Sequence, residues 1–96
     1  MNRNIGLDTY KVYLVDFLSI KFLDTYKVNG QEVARDIYAN EAGVAGSTLS
    51  KIKQRKLYDM PISTLYKICK FENYSIKDFF IEFEAYLQEK ETETMK

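Results

Sequence analysis

Proline occurs once in this chain of 96 residues, at Pro61, and glycine only at Gly6, Gly30, Gly43 and Gly46. These are the strongest breakers of regular backbone, so the segments between them have room for long helices. Apolar spacing inside those segments agrees. Ile76, Phe79, Phe80, Phe83 and Leu87 fall in a stripe about 100° wide at 3.6 residues per turn, behind Ser75 and Asp78, which are spaced as a capping box. Leu65, Ile68, Cys69 and Glu72 repeat at i, i+3, i+4 behind Pro61, and Asn73 with Tyr74 makes the turn between the two helices. The spacing predicts an all-α chain, a compact bundle of about five helices with an extended N-terminal segment.

Ala39, Gly43, Val44, Leu49 and Ile52 are spaced as two short helices meeting at Gly43, where a left-handed backbone costs glycine nothing. That pair is a helix-turn-helix candidate. Asn29 followed by Glu32 is spaced to cap the first of its helices. The N-terminal third reads as a helix over Tyr10 to Tyr26 with two apolar stripes, one through Tyr13, Phe17 and Ile20, the other through Leu14, Leu18, Phe22 and Tyr26. One stripe faces the core and the other needs a partner. With Ile81, which lies outside the apolar stripe of the last helix, Tyr13, Phe17 and Ile20 are the expected surface of a homodimer. The hexapeptide Leu-Asp-Thr-Tyr-Lys-Val occurs twice, at Leu7 to Val12 and Leu23 to Val28, and reads as a local duplication without function. The expected organisation is an N-terminal helical segment over 1–28, a helix-turn-helix domain over 29–88 and a frayed charged tail over 89–96.

With 46% hydrophobic residues the chain can close one core but not two. Histidine is absent and Cys69 is the sole cysteine, which excludes a Cys/His zinc site, a Ser/His/Asp or Cys/His nucleophile system and an internal disulfide. No enzyme activity, metal or cofactor is expected. The most apolar stretch, Val12 to Leu23, is broken by Asp16, Ser19 and Lys21, so no membrane span is expected and a reducing cytoplasm is the expected compartment.

Fourteen basic and fourteen acidic residues cancel over the whole chain, but not along it. Residues 1–34 are neutral, 35–70 carry a net +4 and 71–96 a net −4. The positive third contains the helix-turn-helix candidate, and Val44 to Tyr58 holds Lys51, Lys53, Arg55 and Lys56 with no acid before Asp59. Such a run supports phosphate binding by counterion release. At about 100° per residue, Leu49 and Ile52 point inward while Ser47, Ser50, Lys51 and Gln54 cluster on the opposite side. That outward face suits the major groove of double-stranded DNA, which admits one helix and presents mixed donors and acceptors.

The segment Ala42-Gly43-Val44-Ala45-Gly46-Ser47-Thr48-Leu49-Ser50-Lys51-Ile52, with Pro61 to Phe80 after it, resembles the Cro/C1-type helix-turn-helix family of bacterial and phage regulators. The resemblance runs from Ala39 to Phe80. It implies the helix-turn-helix fold and a phosphate contact from Arg35 at the start of the first motif helix. With the outward face and the basic run, the expected base contacts are Ser47, Ser50, Lys51 and Gln54, and the expected phosphate contacts are Arg35, Thr48, Lys53, Arg55 and Lys56. Ala45 stands where the family commonly has a Ser or Thr cap, and Gly46 where a long polar reader such as Gln or Arg follows. Cys69 stands at a small core position and is expected to be a buried, inert thiol. The function implied is a sequence-specific DNA-binding transcription regulator, a small repressor or autoregulator, acting as a homodimer. The alternative is a protein-interaction module on the same fold, such as an antitoxin or an anti-CRISPR-like inhibitor, with a protein as partner.

Overall fold

The computed structural model describes residues 5–95, with side chains described through residue 92. Its helices are α1 (Leu7–Leu18), α2 (Arg35–Ala42), α3 (Gly46–Lys53), α4 (Ile62–Phe71) and α5 (Ile76–Met95). α1 runs on into a π-helical turn, Ser19–Leu23, and a hairpin of β1 (Lys27–Val28) and β2 (Gln31–Glu32) stands between that turn and α2. The all-α bundle of five helices is what the chain forms.

α5 begins where the capping box predicts. The backbone N–H of Asp78 donates to Ser75 Oγ at 3.3 Å, which satisfies one of the open donors of the first turn. Phe79, Phe83 and Leu87 then turn into the core. At its other end the helix continues to Met95, where a frayed tail is expected beyond Gln88. Glu and Lys are good helix formers, and Lys90 lies 5.3 Å from the centre of the Tyr86 ring. Of the expected tail, only residue 96 lies wholly outside the described residues, as residues 1–4 do at the other terminus.

The helix expected over Tyr10 to Tyr26 ends earlier. Its last turn widens to π geometry over Ser19–Leu23, and the chain then reverses at Asn29 and Gly30, with φ of 53° and 79°. Two positive φ values in succession are the mark of the tight primed turns that join antiparallel strands, and Asn-Gly is the pair that adopts them at least cost. Lys27 faces Glu32 and Val28 faces Gln31 across the hairpin, and Val33 N–H donates to Tyr26 O at 2.9 Å to extend the ladder. Asn29 therefore makes the hairpin turn and caps nothing. α2 starts six residues later, behind Ala34, with no side-chain cap.

Apart from Ile20, both apolar stripes of the N-terminal helical segment are covered within the chain, because α1 lies between α3 and α5. Phe17 stacks on α5 with ring centroids 5.2 Å from Phe79, 5.7 Å from Phe83 and 5.2 Å from Tyr86. Tyr13 lies edge-on to Tyr86 at 6.2 Å. On the other stripe, Leu18 is fully buried with Leu49 and Ile52 in the same core, and Phe22 packs on Tyr74 at 5.6 Å. The stripe expected to need a partner thus packs its Tyr13 and Phe17 on the last helix of its own chain, while Ile20 stays exposed. Val15, Leu18 and Leu23 belong to one cluster with Tyr38, Ile68 and Phe79, so a single core spans residues 15–87.

Candidate nucleic-acid interface

α2 ends at Gly43, whose φ of 80° lets Gly43 N–H and Val44 N–H both donate to Ala39 O, at 2.9 and 3.0 Å. This left-handed closure redirects the chain within three residues, so that α3 packs across α2. Leu49 and Ile52 anchor α3 with no exposed surface. The same pitch leaves Ser47, Lys51 and Gln54 exposed and Ser50 and Thr48 half-buried.

Ser50 is shielded by Arg35. This arginine is the first residue of α2, and its Nη1 donates to Ser50 Oγ in a short hydrogen bond. Its Nε lies 3.7 Å from the point a Cβ on Gly46 would occupy. Lys51 lies over Tyr58, 5.7 Å from the ring centre. Lys56 and Gln54 stand open to solvent after the helix.

The basic run is less free than its sequence suggests. Lys53 Nζ donates to the carbonyls of Leu23 at 2.8 Å and Asp24 at 3.1 Å, and lies 4.8 Å from the centre of the Tyr26 ring. Those carbonyls close the α1 and π-turn segment, where the helix dipole is negative, so the ammonium caps that end. Arg55, held at φ 56°, reaches Asp16 Oδ1 at 3.1 Å and Asp24 Oδ1 at 2.7 Å. The other oxygen of Asp16 accepts a short hydrogen bond from Tyr86. Burial, then this bond to a carboxylate, holds the Tyr86 phenol protonated far above the usual tyrosine range. Two of the five expected phosphate contacts are therefore engaged inside the chain, leaving Arg35, Thr48 and Lys56 without a carboxylate partner among the described residues.

Asp16 and Asp24 are the residues that sequence reasoning missed. They lie 31 to 39 positions from Arg55, and no local spacing links them. A similar long-range pair sits behind the motif, where Tyr38 Oη donates to Glu72 Oε2 at 2.6 Å and joins α2 to the end of α4. Burial first, and Glu72 second, keep that phenol protonated as well. Cys69 is buried as expected, and burial with Glu72 nearby pushes its thiol up to about 11.

Of the residues expected at a dimer surface, Tyr13 and Phe17 are half-buried against α5, whereas Ile20 and Ile81 are exposed. Ile20 and Ile81 adjoin Lys21 and Glu82, whose ion pair at 2.6 Å ties the π turn to α5.

The sequence model of the Cro/C1-type helix-turn-helix DNA-binding domain matches residues 20–84, about two thirds of the chain. The chain belongs to this family. The match opens inside the π turn, so α1 lies outside it, and α5 extends beyond it. No curated protein and no solved structure matches the chain. Among the described residues, no group of three or more Cys, Asp or Glu is arranged to hold a metal ion, and no helix is long and apolar enough to cross a membrane.

Proposed function

We propose that the chain is a sequence-specific transcription regulator, a small repressor or autoregulator, that binds double-stranded DNA as a homodimer with α3 in the major groove. One observation carries this: the solvent face of α3 and its C-cap presents Ser47, Lys51 and Gln54 around Ser50 with no acid among them. Those groups supply the donors and acceptors that base edges require. Thr48 and Lys56 flank the face as phosphate contacts and Arg35 lies along its edge, while Lys53 and Arg55 reach phosphate only by leaving the carbonyls and carboxylates they now hold. A single module of this size covers too few base pairs for selectivity, and a two-fold dimer doubles the site. Of the four residues expected at that contact, Ile20 and Ile81 are the exposed ones.

Selection from random duplex DNA on the purified chain tests the reading, with recovery of an inverted repeat as the expected result. Enrichment of a single, non-repeated site refutes the dimer. Enrichment of nothing refutes DNA recognition and favours the protein-interaction reading, with which the internal use of Lys53 and Arg55 is consistent.

A further inference from the structure

Position 46 opens α3 with a glycine, so the first turn of the helix that would enter the groove has no side chain at its leading edge. The structure fills that gap from another element. Arg35, on α2, passes close enough to Gly46 that its Nε stands 3.7 Å from the place of the missing Cβ, and its Nη1 donates to Ser50, one helical turn further on. The guanidinium thus lies along residues 46 and 50 of α3. Arg55 spends its donors on two carboxylates, whereas among the described residues Arg35 pairs with no acid and uses one N–H on a neutral hydroxyl. Its remaining N–H groups are not committed to any carboxylate, and the Ser50 bond orients the group before any ligand arrives.

We propose that Arg35 is a specificity-determining residue that reads a guanine, its guanidinium standing in for the long side chain absent at Gly46. This rests on the DNA-binding reading above. A planar guanidinium matches the O6 and N7 acceptors of guanine in the major groove with two parallel hydrogen bonds, a geometry that lysine lacks. A group laid along the first turn of α3 travels with that helix to the base edges. A phosphate contact made from the start of α2 needs neither the vacancy at position 46 nor the bond to Ser50.

The test compares the wild-type chain with Arg35→Gln, Arg35→Lys and Gly46→Gln. Each is titrated by fluorescence anisotropy on the duplex that wild-type selection enriches and on duplexes with each guanine replaced in turn. Circular dichroism melts check that the variants fold. Replacing one guanine per half-site is expected to weaken wild-type binding by about 5- to 150-fold, and Arg35→Gln and Arg35→Lys by less than about 3-fold, with other positions unchanged. Gly46→Gln keeps the charge and sets a long polar side chain in contact with the guanidinium, its Cβ 3.7 Å from Nε, to compete for the same base edge, so it is expected to lose the same guanine preference. Uniform weakening of Arg35→Gln on every duplex, random sequence included, makes Arg35 a phosphate contact and overturns the proposal while leaving DNA recognition intact. A guanine preference that survives in Gly46→Gln overturns the stand-in geometry. Failure of the wild type to enrich any duplex overturns the DNA reading itself, and this proposal with it.

Discussion

Arg55→Ala and Lys53→Ala are expected to leave the salt dependence of DNA binding nearly unchanged, whereas Lys56→Ala flattens it. Each phosphate neutralised adds about −0.9 to the slope of log K against log salt. Counted from sequence, Lys51, Lys53, Arg55 and Lys56 contribute about −3.6 per protomer on that scale. With Lys53 and Arg55 held by the N-terminal segment, the contribution falls to about −1.8. The energies favour the held state. One counterion released at about 0.15 M salt yields about 1 kcal/mol. Freeing Arg55 breaks two partly exposed ion pairs, which cost up to about 1 kcal/mol each. It also leaves the carboxylates of Asp16 and Asp24 without that cation, which adds to the cost. Anisotropy titrations from about 50 to 200 mM salt measure the slope. A change of about 0.9 on Arg55→Ala would show that the arginine exchanges its carboxylates for phosphate and would refute the reasoning. Asp24→Asn, which releases one hold on Arg55, is expected to steepen the slope in the wild-type background only.

Three further outcomes follow from the packing. Gly43→Ala is expected to lower stability by about 1–2 kcal/mol in urea titrations, a purely backbone cost because nothing lies within 4 Å of the added methyl; an equally stable variant refutes the strain at φ 80°. Cys69 stays protonated in the folded chain up to about 11 against an ordinary 9.0, so above 9.0 the native state binds the extra proton and stability falls with rising pH, by at most about 1.4 kcal/mol per unit. Thermal melts should show Cys69→Ala losing less between those two values than the wild type, and a parallel decline is the contrary result. Phe17→Ala is expected to cost about 3 kcal/mol because its ring is clasped by Phe79, Phe83 and Tyr86, while Ile81→Lys stays within about 0.5 kcal/mol and converts dimer to monomer in light scattering. If Phe17→Ala abolishes the dimer at unchanged stability, the ring belongs to the interface instead.

Much of the fold is legible in local pattern. Ser75 and Asp78 mark the start of α5, Pro61 precedes α4, and Gly43 carries the turn between α2 and α3, because caps and breakers act through their own backbone. The outward face of α3 follows from helical pitch once Leu49 and Ile52 are inward. The Asn29-Gly30 hairpin was legible too, since that pair between short runs is a hairpin signal, but Asn29 followed by Glu32 also fits a helix cap. What local pattern does not carry is partnership. The four cations of the basic run have identical prospects in sequence, and only the approach of Asp16, Asp24 and the Leu23 carbonyl separates Lys53 and Arg55 from Lys56.

The repeated hexapeptide shows where local information ends. Leu7 to Val12 is a turn and a half of α1, whereas the identical Leu23 to Val28 leaves the π turn, crosses an irregular stretch and enters β1. Six residues that favour neither helix nor strand strongly take the conformation their surroundings reward. The first copy continues into an apolar helix clasped by α3 and α5. The second precedes an Asn-Gly turn, and its Leu23 and Asp24 carbonyls are drawn to Lys53 from thirty positions away. Composition, breakers and apolar period determined that the chain would be a helical bundle with a helix-turn-helix. Only the tertiary structure decided which cations remain for a ligand and which of two identical segments is helix, because a charge is neutralised by whatever the fold brings within about 4 Å of it.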